Sequence, residues 1–476
     1  MNKNTEIQVN SAVIPSNTRK KGKPHYLIDV LIIVAMGVLL FMGSWAQIFR
    51  DHSDAARYQC YAIAFLHNVP FAKSALPSQC GFIFGSPLQT YTNAQIAAML
   101  HTYGAPEFLV HFVASQDLSQ PFHALPHEYP ILTLIPFLLI LFAPGHWYQV
   151  AFAILMILLA AGIYLLLVRF KSRKAALVGA ILLVIGGWAT VAGRFDLIPS
   201  FLTLLAVLLA ERKRWTWAFI ALAVAFLMKL YPVILLIPFL LAQQMDIRAR
   251  WYAWRRWQPF VVFIALCVLV MIGSFLLSVE DTIAPLGYFQ TRPIQAESFG
   301  SSVIWLSTFV QYHPMTFEFT YGSLNVLHLY SSFIGSAETI LEVIGLCYVI
   351  WLQWRGKIDL AAATLLTLLV VMVTGKVFSP QYLIWIVPLL AYVGGANLRW
   401  LLSWAVIGGL TTFIYPYVYD MATITHVPLL PWFYPAVTLR NFIVFGFVLA
   451  TLISYSKSKD RKRFSYHPAP HDEEQT

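Results

Sequence analysis

Apolar runs long enough to cross a bilayer recur from Tyr26 to Ser454, separated by short polar stretches. The hydrocarbon core takes about 20 apolar residues per helical span. Within it every backbone N–H and C=O must find a partner inside the protein, so runs of this length fold as helices. The expected helices are 26–48, 147–168, 175–192, 197–210, 215–229, 231–242, 259–278, 336–354, 358–374, 381–394, 399–415 and 433–454. Composition agrees: 59% of residues are hydrophobic and 11% charged, against about 45–50% and about 25% in soluble chains. The chain reads as an all-α polytopic membrane protein with one membrane-embedded domain over 26–455.

The run from Tyr26 to Gly43 follows Lys20, Lys21 and Lys23, as a signal peptide would. Its 18 residues exceed the roughly 7–15 of a signal-peptide core, so an uncleaved first helix is expected. Residues 129–143 are apolar but short and contain Pro136, leaving a short span and a re-entrant piece both open. Twelve helices result without it as a span, thirteen with it. The charge pattern prefers twelve. Both termini then lie in the cytoplasm, and 24 of the 32 lysines and arginines fall on that side, as the positive-inside bias demands. The tails 1–25 and 456–476 become cytoplasmic, and the large loops 49–128 and 279–335 extracytoplasmic. Amphipathic patches at Asn93–Leu100 and Pro106–Ser115 are expected to lie along the membrane surface.

The net charge of +10 is dispersed in small clusters between apolar runs, a distribution that argues against nucleic acid. Four cysteines are too few for a disulfide framework. Cys267 and Cys347 fall in apolar runs, while Cys60 and Cys80 share the first loop, where they either pair or stay free.

Eight cations remain on the outer side: Arg50, Arg57, Lys73, Arg194, Lys229, Arg292, Lys376 and Arg440. Each runs against the topological bias. A cation at an outer helix end suits a phosphate, although snorkelling to lipid headgroups is the plainer alternative. Several sit in compact motifs: Gly193-Arg194-Phe195-Asp196, Met228-Lys229-Leu230-Tyr231-Pro232, Arg292-Pro293-Ile294-Gln295-Ala296-Glu297-Ser298 and Gly375-Lys376-Val377-Phe378-Ser379-Pro380-Gln381-Tyr382. The stretch Arg50-Asp51-His52-Ser53-Asp54-Ala55-Ala56-Arg57-Tyr58 adds two carboxylates, and Glu128-Tyr129-Pro130 another. Carboxylates, cations and aromatics on one face suit a polyprenyl-phosphate sugar donor. Its tail lies in the bilayer, cations hold the phosphate leaving group, and a carboxylate deprotonates the acceptor hydroxyl. That chemistry requires no metal or other cofactor.

The ordered series carries a family resemblance. Asp54-x-x-x-Tyr58 follows the first helix and Tyr129-Pro130 opens an apolar run. The four cation motifs follow, the last continuing to Trp385 and Pro388. This resembles the polyprenyl-phosphate-mannose-dependent mannosyltransferases with the C-type glycosyltransferase fold, a glycosyltransferase family 87-like group that includes phosphatidylinositol mannoside α-1,2-mannosyltransferases. The resemblance implies Asp54 as general base and Lys229, Arg292 and Lys376 on the donor phosphate. It implies transfer of a hexose, mannose in this family, to a lipid-linked or glycan acceptor outside the cell membrane. Further substrate-binding candidates are Asp51, Tyr58, Glu128, Tyr129, Arg194, Asp196, Gln381 and Tyr382. The family's second motif has a Pro-Pro pair where this chain has Pro130-Ile131, a departure that bears on acceptor fit.

Alternatives stand beside each role. Asp51 competes with Asp54 for the base or pairs with Arg50 or Arg57. Glu128 and Asp196 suit structural ion pairs. Glu338 and Glu342 are one helical turn apart and share a face, so Glu342 either lines a lipid groove or meets a cation. His123 and His127 are spaced for a metal, but Pro121, Pro126 and Pro130 oppose the helix such a site wants. A transporter or flippase of lipid-linked sugars would also bear intramembrane charge, yet no internal repeat is visible. A lipid-linked glycan polymerase or ligase is a third class.

Overall fold

The computed structural model describes residues 26–50, 53–67, 91–117, 120–247, 250–310 and 313–457. The expectations for Asp51, Lys73, Cys80, residues 1–25 and residues 458–476 lie outside the described residues.

The chain enters as α1 (Tyr26–Gly43), turns at Ser44 into α2 (Trp45–Phe49), and starts α3 (Asp54–His67) where a loop was expected. Helices α4 (Asn93–Thr102) and α5 (Glu107–Ala114) coincide with the two amphipathic patches. Next comes a 3-10 turn at Ile131–Thr133 and then α6 (Leu134–Ile140). Together these ten residues rise about 15 Å, half of the roughly 30 Å of hydrocarbon, so this segment is too short to span. There follow α7 (Tyr148–Phe170), α8 (Arg173–Gly187), α9 (Leu197–Glu211), α10 (Trp215–Met228), α11 (Leu236–Asp246) and α12 (Trp254–Leu277).

The stretch 279–335, expected as a large polar and aromatic loop, holds regular elements of its own. That stretch carries α13 (Val279–Thr291), α14 (Phe299–Ser307) and an antiparallel hairpin of β1 (Thr316–Thr320) and β2 (Ser323–Leu327). The reason is local chemistry. Ser278 and Ser298 are N-caps whose hydroxyls accept the backbone N–H of Asp281 at 3.2 Å and of Ser301 at 3.1 Å. Tyr321 and Gly322 both take positive φ, 55° and 63°, the geometry of a two-residue hairpin turn. The chain closes with α15 (Ser331–Trp354), α16 (Leu360–Thr374), α17 (Tyr382–Gly394), α18 (Leu398–Thr412) and α19 (Phe433–Lys457). Cys60 is disulfide-bonded, and Cys267 and Cys347 are free.

Each of the twelve expected helices is present. Among the described residues, six helices are long and apolar enough to cross a membrane, including Tyr26–Gly43, Trp254–Leu277, Ser331–Trp354 and Phe433–Lys457. Among the shorter ones, α9, α10, α16 and α17 have only 13–15 residues and rise about 20–23 Å. Most of their residues are packed against neighbours, and in α16 every residue except Val371 is buried, as a helix hydrophobic on all sides requires. The longer helices face outward. On α12, Val268, Leu269, Ile272 and Leu276 are exposed, an apolar surface that suits lipid.

Two contacts fix how these layers meet. Helices α8 and α18 touch backbone to backbone, and a Cβ on Gly408 would stand 3.0 Å from the Gly186 Cα. Small residues permit such approach between membrane helices. Nearer the first loop, His127 Nε2 lies 2.9 Å from Asp281 Oδ1, and the Leu125 N–H donates to Oδ2 at 2.9 Å. One carboxylate thus pins the 121–130 segment to α13. Burial pushes the His127 pKa down, but the hydrogen bond and charge of Asp281 outweigh it and raise the value above 6.5.

Replacing Gly408 by valine therefore overpacks the α8–α18 contact and lowers stability by about 1–3 kcal/mol, readable as earlier thermal unfolding in detergent. The His127 pair predicts a pH dependence. A raised histidine pKa stabilises fully below the unfolded value, and the gain is lost as pH rises through the folded value. The stability gap between wild type and His127→Gln is therefore widest near pH 6 and narrows above it. An unchanged gap up to pH 9 would contradict the ion pair.

Candidate active site

Asp54 opens α3. Ser53 caps that helix, its hydroxyl accepting the Ala56 N–H at 3.2 Å and a Gln149 amide N–H at 3.1 Å. The carboxylate therefore sits at the positive end of a helix dipole, and two arginines converge on it. Arg194 reaches Oδ2 at 2.8 Å and Arg57 lies 3.7 Å from Oδ1. Arg57 is held in turn by Glu128 at 3.1 Å. Gly193 allows this approach, since a Cβ there would lie 2.5 Å from Gln47 Cβ. Burial is the largest influence on the Asp54 pKa and acts upward. Arg194, Arg57 and Lys229 together outweigh it and hold the group below its ordinary 3.8.

Beside this cluster Lys229 forms a buried ion pair with Asp196, which also accepts the Trp385 indole N–H. The ammonium lies 5.0 Å from the ring centroids of both Phe195 and Trp385, within cation–π range. Trp385 is stacked between Tyr382 at 4.0 Å and Tyr231 at 4.1 Å. Under Asp54, Tyr58 stacks on Phe137 at 4.4 Å and packs edge-on against Phe195. These aromatics stiffen the floor.

Above the floor opens a cavity of about 1060 Å³. Its wall includes the polar side chains Asp54, Arg57, Glu128, Tyr129, Arg194, Lys229, Arg292, Lys376, Gln381 and Tyr382. The same wall includes the apolar side chains Phe226, Val233, Ile234, Leu368, Val371 and Met372, with Thr339 and Glu342 on α15. A smaller cavity of about 430 Å³ adjoins it and shares Arg292, Thr339 and Lys376.

The sequence candidates thus converge from distant parts of the chain, while Tyr58, Asp196, Arg50 and Arg440 stay off the wall. Tyr58 and Asp196, each 1% exposed, stand behind the wall, where they support Phe195 and Lys229. Arg50 pairs with Asp420 at 3.0 Å, because the chain turns it towards the segment after α18 and away from α3. Glu342 lines the cavity, whereas Glu338 is buried and accepts the Gly300 N–H at 2.7 Å. Sequence reasoning missed Gln47, Tyr415, Glu297 and Tyr419, all on the cavity wall. The Gln47 amide bonds to the Tyr415 hydroxyl, and Tyr419 donates to Glu297 at 3.0 Å. Glu297 lay within a singled-out motif; the other three carry no charge and left no signal.

Among solved structures, ArnT from Cupriavidus metallidurans in the apo state matches with a TM-score of 0.38 and 14% identity, over 91% of this chain and 78% of that one. No curated protein matches. Glycosyltransferase family 87 matches residues 127–380, a range that takes in Glu128, Arg194, Lys229, Arg292 and Lys376. With more than half of its length matched, the chain belongs to glycosyltransferase family 87.

Proposed function

We propose that this membrane glycosyltransferase moves a hexose, mannose by resemblance, from a polyprenyl-phosphate donor to a hydroxyl of a lipid-linked or glycan acceptor on the extracytoplasmic side. The observation that carries this reading is one cavity whose wall combines Asp54 and several cations with apolar side chains of short membrane helices. A free sugar nucleotide would have no use for the apolar side chains. A lipid-borne phosphate uses both.

In the proposed reaction the acceptor oxygen attacks the anomeric carbon as its proton passes to the Asp54 carboxylate. The bond from that carbon to the phosphate oxygen breaks, and polyprenyl phosphate leaves with the electron pair. Attack opposite the leaving group inverts the anomeric centre. Arg292 and Lys376 neutralise the departing phosphate. Lys229 contributes less field there, because Asp196 offsets its charge. Arg194 and Arg57 fix the Asp54 rotamer, so the base need not reorganise during transfer.

Purified protein given radiolabelled polyprenyl-phosphate-mannose and a membrane lipid extract should transfer label without any ion gradient. Solute uptake in proteoliposomes without transfer would instead favour a transporter. Asp54→Asn should lower kcat/KM by about 10²–10⁴-fold while membrane insertion is retained, and full activity in that variant would eliminate the base. Arg194→Gln removes the strongest attraction holding the Asp54 proton off. The Asp54 pKa then rises, and the acid limb of the kcat/KM profile moves to higher pH. Profiles that superimpose would refute the coupling.

A further inference from the structure

Arg440 lies in α19, on the side where positive charge runs against the topological bias, and neither the cavity wall nor the proposed reaction uses it. It is completely buried. Its guanidinium donates to Glu297 Oε2 at 2.9 Å and to the Glu297 carbonyl at 2.7 Å. The neighbouring Asn441 amide donates to the same carbonyl at 3.0 Å and to the Ser298 carbonyl at 2.9 Å. The opposite side of the guanidinium covers the Phe378 ring, 4.0 Å from its centroid.

Those contacts reach two separate segments. Glu297 ends the stretch that begins at Arg292, and Phe378 is two residues beyond Lys376. The two stretches are also joined directly, the Gln295 N–H donating to the Lys376 carbonyl at 2.9 Å. The first is stiffened along β2: Ala296 N–H bonds to the Leu324 carbonyl at 2.9 Å and Val326 N–H to that of Ile294 at 2.8 Å. The first cation-bearing segment is therefore held along β2 and tied to the second, and one side chain touches both.

We infer that Arg440 is a positioning residue that sets the separation of Arg292 and Lys376, and with it the affinity for the phosphate of the lipid. This rests on the proposed role of those two cations. Arg440 itself touches no substrate. A phosphate gripped by two cations loses affinity when their spacing drifts, and the planar fork over Phe378 is geometry that a lysine cannot reproduce.

Arg440→Lys keeps the charge and loses the fork. Affinity for sugar-free polyprenyl phosphate should weaken about tenfold, a loss of roughly 1.4 kcal/mol, with the donor KM rising in parallel. The kcat and acceptor KM should stay within about twofold of wild type. Removing the charge alone would strand the Glu297 carboxylate in the interior. The double variant Glu297→Gln/Arg440→Met avoids this and should fold while retaining weakened phosphate binding. Arg173→Gln, which breaks the ion pair with Asp29 at the far face, serves as the control: it should lower thermal stability and leave phosphate affinity unchanged. Wild-type affinity in Arg440→Lys, or an equal loss in Arg173→Gln, would overturn the inference. Binding requires no sugar transfer, so wild-type binding without transfer would count against the proposed reaction alone.

Discussion

The structure depends on four helices that are too short. Helices α9, α10, α16 and α17 stop several ångströms before the thickness a bilayer would ask of them, and lipid cannot satisfy the backbone groups exposed at their ends. The ends must therefore meet protein or water, and where they converge a cavity opens. Asp196 and Arg194 precede α9, Lys229 follows α10, Lys376 follows α16, and Gln381 precedes α17. The charges stand where they do because the helices end there.

Burying so much charge is tolerable only in pairs. Asp54 has Arg194 and Arg57, Asp196 has Lys229, Arg57 is shared with Glu128, and Glu297 has Arg440. Removing either member of a pair strands its partner, so single substitutions here mix stability with chemistry. Readouts that separate them, such as a pH limb or a binding constant without turnover, carry more weight than activity alone.

The helices were legible because apolar length is a property of contiguous residues. The 279–335 segment was not, because its order comes from three small signals, the caps Ser278 and Ser298 and the Tyr321-Gly322 turn, which composition averages away. At the site, charged residues announced themselves by opposing the topological bias, and most do face the cavity. Which carboxylate reaches the wall was beyond sequence: Asp54 does and Asp196 does not, since that depends on packing against Trp385. Arg440 was flagged as an outer cation, but its partner Glu297 is 143 residues away in the chain, and no local pattern could supply it.

A lowered pKa in a proposed base invites an objection, since a weaker base accepts a proton less readily. The objection concerns the ground state. As the acceptor oxygen bonds to the anomeric carbon it gains positive charge, and its proton becomes far more acidic than that of the free alcohol. A carboxylate kept ionised by Arg194 and Arg57 stays ready down to lower pH than one left to burial alone, whose pKa burial would raise. The two arginines give up proton affinity that is needed only late in the reaction. In exchange they fix charge and orientation, which are needed from the start.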